Sequence, residues 1–192
     1  MSNSLRDKDV VVTGASSGIG RSIALESASR GATVILMARH QDKLEEIANE
    51  ARQLSGNEVY VFPTDISKAD QIDRAFNEIV SHVDHIDYLV NAAGFGVFKE
   101  FLETSPQVMT EMFQTNVLGL MYFTRLVARV MIDQKQGQII NFGSIAGIVP
   151  TTKTAVYSAN KAAIIQFSNV LRLELKPFGV KVMTVNPGPV YT

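Results

Sequence analysis

The stretch from Val10 to Gly20 constrains this chain more than any other. Val10, Val11 and Val12 are three consecutive β-branched residues, the pattern of a short strand covered on both faces, as in a parallel sheet. Gly14, Gly18 and Gly20 then fall within seven positions, and a helical pattern starts at once. Glycine at such a turn permits positive φ and lets a ligand approach the backbone without meeting a Cβ. The helix that follows offers unpaired N–H groups and the positive end of its dipole, which suits a pyrophosphate. The spacing Gly14-x-x-x-Gly18-x-Gly20 is not the G-x-G-x-x-G of the common dinucleotide fingerprint. The order strand, glycine turn, helix nevertheless predicts a dinucleotide site.

The rest of the chain repeats that alternation. Helical spacing of Ile19, Ile23, Ala24 and Ala28 ends at Gly31, and a strand follows over residues 33–38. A helix over 41–54 carries Leu44, Ile47, Ala48 and Ala51 on one face, and 58–63 reads as the third strand. Ser67 is expected to cap the next helix, whose stripe runs through Ile72, Ala75, Ile79 and Val83. The fourth strand spans 88–91. Ser105 and Pro106 start one long helix reaching residue 131. The fifth strand is 138–142, a helix covers 156–176, and the sixth strand is 180–186. Such alternation predicts an α/β, doubly wound parallel sheet of Rossmann type with helices on both faces. Its expected strand order is 3-2-1-4-5-6, with ligand at the carboxyl ends of the strands near the 1/4 switch point. Gly14, Ala38, Asp65, Asn91, Ser144 and Pro187 all follow strands, so all are expected along one crevice.

Composition closes off several function classes. The 192 residues fit a single domain spanning the chain, and 46% apolar with 19% charged residues is an ordinary globular balance. A net charge of −1 gives no footprint for nucleic acid or an anionic membrane. There is no cysteine, and His40, His82 and His85 lack zinc-ligand spacing, so no metal site is expected. No apolar leader follows Met1 and no run reaches the ~18 residues of a membrane span; the expected location is the cytoplasm.

Tyr157 and Lys161 are four apart on a predicted helix, so their side chains share a face. An ammonium beside a phenol favours the phenolate, and Ser144 can donate a hydrogen bond to a carbonyl oxygen held by Tyr157. Such pairs are common by chance, and without further support this one reads as a surface pair with a half-buried ring. Asn116 by itself reads as a helix residue bonding the local backbone.

Taken together, these features resemble the short-chain dehydrogenase/reductase family, in its compact single-domain branch, from Val10 to Thr192. The family's T-G-x-x-x-G-x-G loop is matched by Thr13, Gly14, Gly18 and Gly20, with Ser16, Ser17 and Ile19 between them. Asp65, followed by Ile66, matches its adenine-side aspartate. Asn91-Ala92-Ala93-Gly94 matches its N-[NA]-A-G stretch, which stabilises the sheet and borders the cofactor. The family's catalytic tetrad falls on Asn116, Ser144, Tyr157 and Lys161. Pro187 and Gly188, with Val190 and Thr192, resemble the segment that holds the nicotinamide carboxamide.

The resemblance implies an oxidoreductase that moves a hydride between a nicotinamide cofactor and a carbonyl or alcohol substrate. Tyr157 is then the general acid or base, and Lys161 binds the ribose and favours the phenolate. Ser144 orients the substrate oxygen. Asn116 positions a water that relays protons, and its backbone leaves a local break in the helix. It also implies a homodimer or homotetramer, built by the helices over 106–131 and 156–176. A seventh strand and a substrate lid would follow the Pro-Gly segment. The chain lacks both, and is expected to have been cut where the lid begins. The substrate itself is not named by these motifs; the segment Phe95–Phe101 suggests an apolar wall, and core packing explains its aromatics as well.

The cofactor is read at the end of the second strand. NAD sites place an acidic residue there, whereas this chain has Ala38-Arg39-His40. Arg39 can form a planar, charge-assisted contact with a 2′-phosphate, so NADP(H) is favoured over NAD(H); the alternative is that Arg39 only solvates the next helix. The competing function is a non-catalytic nucleotide-binding redox sensor on the same fold. A sugar-nucleotide epimerase would carry a G-x-x-G-x-x-G loop, which is not found here.

Overall fold

The computed structural model describes residues 4–189. Strand and helix alternate from the first element. In chain order they are β1 (Asp9–Thr13), α1 (Gly18–Ser29), β2 (Thr33–Ala38), α2 (Gln41–Ser55), β3 (Val59–Pro63), α3 (Ala69–His82) and β4 (Tyr88–Asn91). There follow α4 (Pro106–Phe113), α5 (Leu120–Gln134), β5 (Gly137–Phe142), α6 (Ala155–Leu175) and β6 (Val180–Val185). All six strands pair in parallel, in the order β3-β2-β1-β4-β5-β6. This is the Rossmann-type sheet expected from the alternation.

β1 shows why its valines had to be apolar on both sides. Val10 and Val12 pack with Val34, Leu36 and Val90 against the α1 and α2 residues Ala24, Ala28, Leu44, Ile47, Ala48 and Ala51. Val11 points the other way, to Ile35, Met37, Leu89 and Ile139 and to Ile72, Ile79, Phe123 and Val127 of α3 and α5. The side-chain period of two thus feeds two cores from one strand. The helices change faces between β1 and β4, which opens the crevice at that boundary. Thr13 is in register with Met37 on one side and Asn91 on the other, and Asn91 with Asn141. The strand ends, and the loops that leave them, therefore lie side by side.

The helix expected over 106–131 is divided into α4 and α5 by a π-helical turn, Gln114–Gly119, which contains Asn116, the position where the family resemblance implies a local break. Asn116 turns inward in that turn, and its contacts are described below; such insertions gather at functional sites. The start of α4 is as expected, with Ser105 Oγ accepting from the Val108 N–H and Pro106 opening the first turn. Ser67 does not cap α3, which starts two residues later, after Lys68. Its hydroxyl and its N–H both donate to Asp65 Oδ1 instead, at 2.7 and 2.9 Å. The carboxylate two residues upstream competes successfully for the serine. Val190 and Thr192 lie outside the described residues. No helix among the described residues is long and apolar enough to cross a membrane.

Candidate active site

A cleft of about 700 Å³ runs along the carboxyl ends of the strands. Its floor begins at the β1–α1 turn. Gly14 has φ +69°, and a Cβ there would stand 2.7 Å from the Cα and N of Ala93. The turn therefore lies directly on the backbone that follows β4, a fit no side chain permits. Gly14, Ser16, Ser17, Gly18, Ile19 and Gly20 all line the cleft. Ser17 stands at the N-cap of α1 without spending its side chain there, and the first turn carries no acidic residue. The helix terminus is left with free N–H donors and no competing anion, the arrangement that receives a phosphate. This glycine-walled cradle fits a dinucleotide.

The adenosine end is framed by β2 and β3. Arg39 and His40 follow β2, line the cleft and are exposed; Arg39 enters none of the ion pairs formed among the described residues. No carboxylate occupies the end of β2. Asp65 and Ile66 line the cleft after β3. Asp65 is held by its own turn, its carboxylate by Ser67 and its N–H donating to Gln71 Oε1 at 2.8 Å.

On the other side of the switch point stand Ala92, Gly94, Ser144, Tyr157, Pro187 and Gly188. Ser144 Oγ accepts from the Ala146 N–H at 3.2 Å. That bond uses a lone pair and leaves the hydroxyl proton free to donate into the cleft. Tyr157, on the first turns of α6, is half-buried and lines the cleft.

Three expected site residues do not line the cleft; they sit beneath it. Lys161 is buried one turn below Tyr157, its Nζ 5.7 Å from the centre of the phenol ring and donating to the Phe142 carbonyl oxygen at 2.7 Å. Burial pulls its pKa down from the ordinary lysine value to about 8. Asn116 is 1% exposed. Its Oδ1 accepts from the Phe95 N–H at 2.9 Å and its Nδ2 donates to the Phe95 carbonyl at 2.8 Å. The amide thus ties the π-helical turn to the loop after β4. Asn91 is buried as well, donating to Thr124 Oγ1 at 2.9 Å and to Asn141 Oδ1 at 2.8 Å. Asn141 in turn donates to Ser168 Oγ at 2.9 Å, so one polar chain links α5, β4, β5 and α6 under the cleft.

Sequence reasoning missed Thr64, Thr115, Ile145, Thr151 and Thr154, which also line the cleft. Thr151 and Thr154 lie between Ser144 and Tyr157 in the chain, and that interval was the available signal. Their place on the wall comes from the loop that leaves β5 and enters α6.

Residues 8–192 match the family model described as short chain dehydrogenase. An uncharacterized oxidoreductase of Staphylococcus aureus (strain MRSA252) is 36% identical over 188 residues, 98% of this chain and 80% of that protein. L-sorbose reductase from Gluconobacter frateurii, solved with NADPH and L-sorbose, superposes with a TM-score of 0.95 at 30% identity, over 100% of this chain and 73% of that one. NAD+-bound xylitol dehydrogenase superposes with a TM-score of 0.92 at 29% identity, over 96% of this chain and 71% of that one. The solved relatives are longer than this chain, which covers between 66% and 84% of them.

Proposed function

The chain belongs to the short-chain dehydrogenase family of oxidoreductases, and from that premise we propose that it interconverts a carbonyl compound and an alcohol with NADP(H). The observation that carries this reading is the placing of Ser144 and Tyr157 on one wall of the glycine-floored cleft, with the Lys161 ammonium directly behind the phenol. When bound, the nicotinamide supplies or accepts the hydride at the substrate carbon. The Gly14–Gly20 turn and the start of α1 would hold the pyrophosphate, and Arg39, with His40 after it, would hold the 2′-phosphate.

The chain's own residues manage the proton. Ser144 donates a hydrogen bond to the substrate oxygen and fixes its position against Tyr157. In reduction the Tyr157 hydroxyl gives its proton to that oxygen; in oxidation the phenolate takes it back. The Lys161 ammonium stabilises the negative charge left on the phenol. Asn116 acts through geometry: it holds the π-helical turn and the Phe95 loop together, and so fixes one side of the proton relay expected to reach Lys161.

Association as a homodimer or homotetramer through α4, α5 and α6 belongs to the same reading. Ala159 and Ala162 are exposed on α6, and Leu118 is exposed in the π-helical turn, which supports close helix packing between copies. The test of function is a cofactor-oxidation screen: purified protein with NADPH should reduce at least one member of a panel of aldehydes, ketones and ketoesters. Tight NADPH binding with no turnover on any of them would transfer the assignment to a nucleotide sensor.

A further inference from the structure

The loop after β4 carries an aromatic side chain back onto the reactive phenol. Phe95 is anchored to Asn116, and three residues later the Phe98 ring meets the Tyr157 ring edge-on, centroids 5.2 Å apart at 63°. Aromatic pairs favour that arrangement. It depends on Gly96, because a Cβ at that position would come within 2.9 Å of Phe98 Cζ and 3.0 Å of Tyr157 Cδ2. The glycine clears the space in which the two rings touch.

Phe98 is nevertheless 60% exposed. Part of the ring is spent on Tyr157, and the rest is open and lines the cleft together with that phenol. Phe95 and Ile145 line the same part of the cleft and are also exposed. The polar side chains on this wall are the uncharged hydroxyls of Thr115, Ser144, Thr151 and Thr154, and that of Thr154 is already occupied, donating to the Thr151 carbonyl at 2.6 Å and sitting 2.8 Å from Ser158 Oγ. The ionisable side chains that line the cleft apart from Tyr157 itself are Arg39, His40 and Asp65, all at the ends of β2 and β3 across the switch point. On the Tyr157 side, among the described residues, no lining side chain can pair with a charged substrate.

We propose that the substrate is an uncharged ketone or aldehyde bearing a bulky apolar substituent, and that Phe98 is the residue that selects it by seating that substituent beside Tyr157. The proposal rests on the carbonyl-reductase reading of the site. Any carbonyl oxygen held by Tyr157 and Ser144 brings its substituents next to the open Phe98 face, so this face is part of the substrate's path.

The test uses ketones that share one reacting carbonyl: 4-phenyl-2-butanone and 4-hydroxy-2-butanone, each with NADPH and the full-length protein. An apolar group that fits a pocket changes kcat/KM by about 10- to 200-fold, so the phenyl ketone should lead by at least about tenfold. Phe98→Ala should collapse that ratio to within about threefold, mainly through KM for the phenyl ketone, while Phe98→Leu, which keeps an apolar surface, should retain most of it. The ratio cancels any general effect of losing the ring that touches Tyr157. Equal or better turnover of the hydroxy ketone, or a ratio that survives Phe98→Ala, would overturn the proposal and leave the carbonyl-reductase reading standing. Absence of turnover on every carbonyl compound, by protein that binds NADPH, would overturn both.

Discussion

Lys161 turns its ammonium into the protein, where Nζ lies 2.7 Å from the carbonyl oxygen of Phe142 at the end of β5. A single carbonyl is the only acceptor it finds among the described residues, and burial lowers its pKa to about 8. The consequence is a pH-dependent stability of definite sign. Below pH 8 the lysine is charged in both folded and unfolded chains, and the folded state bears the full cost of burying the charge. Between about 8 and 10.5 the unfolded chain binds more protons, so the contribution of this group to stability rises with pH. The total is on the order of 3 kcal/mol. Denaturant titrations of the cofactor-free protein should show Lys161→Met more stable than wild type at pH 7, with the gap closing towards pH 10.5. A gap independent of pH would contradict the assignment.

The proposed NADP(H) preference rests on Arg39. That residue follows β2 with no carboxylate beside it and lines the cleft. Arg39→Asp removes a charge-assisted contact and adds repulsion, together about 2–3 kcal/mol, or roughly 30- to 150-fold. The ratio of kcat/KM for NADPH over NADH should exceed one in the wild type and fall by about that factor in the variant. Equal use of both cofactors by the unsubstituted protein would contradict the reading.

Asn116 is bonded at both ends of its amide to Phe95, inside the protein. Asn116→Ala leaves the Phe95 N–H and carbonyl without that partner, a cost of about 1–3 kcal/mol. The melting temperature should drop by roughly 2–10 °C in a chain of this size. Because Phe95 carries the loop that ends at Phe98, KM for a bulky apolar ketone should rise in the same variant. A melting temperature unchanged from wild type would show that the pairing contributes nothing.

The sequence and the structure part company at depth more than at position. β2 and β4 fall where the apolar runs between turn residues put them, and the strand order follows from right-handed crossovers, which are a property of backbone handedness. The glycine turn was legible because its conformation is demanded locally, by φ at Gly14. Helical spacing placed Tyr157 and Lys161 on one face but could not say that the phenol would line the cleft while the ammonium went beneath it. That difference is set by β5, whose Phe142 carbonyl lies 19 residues upstream of Lys161. Asn116 was legible only as a motif position. Its partner, Phe95, is 21 residues away, and no local pattern predicts that an amide will break a helix in order to reach it. Ser67 went the other way: a good N-cap residue was diverted by Asp65, two residues before it.

The most direct measurement of the central claim is steady-state kinetics of Tyr157→Phe beside a fluorescence titration of NADPH. The substitution keeps the ring, and with it the contact with Phe98, and removes only the hydroxyl. Positioned acid–base catalysis is worth about 10²- to 10⁴-fold, so kcat should fall by at least that range while NADPH affinity stays within about threefold of wild type. A variant that kept more than about a tenth of the wild-type kcat would contradict proton transfer by Tyr157.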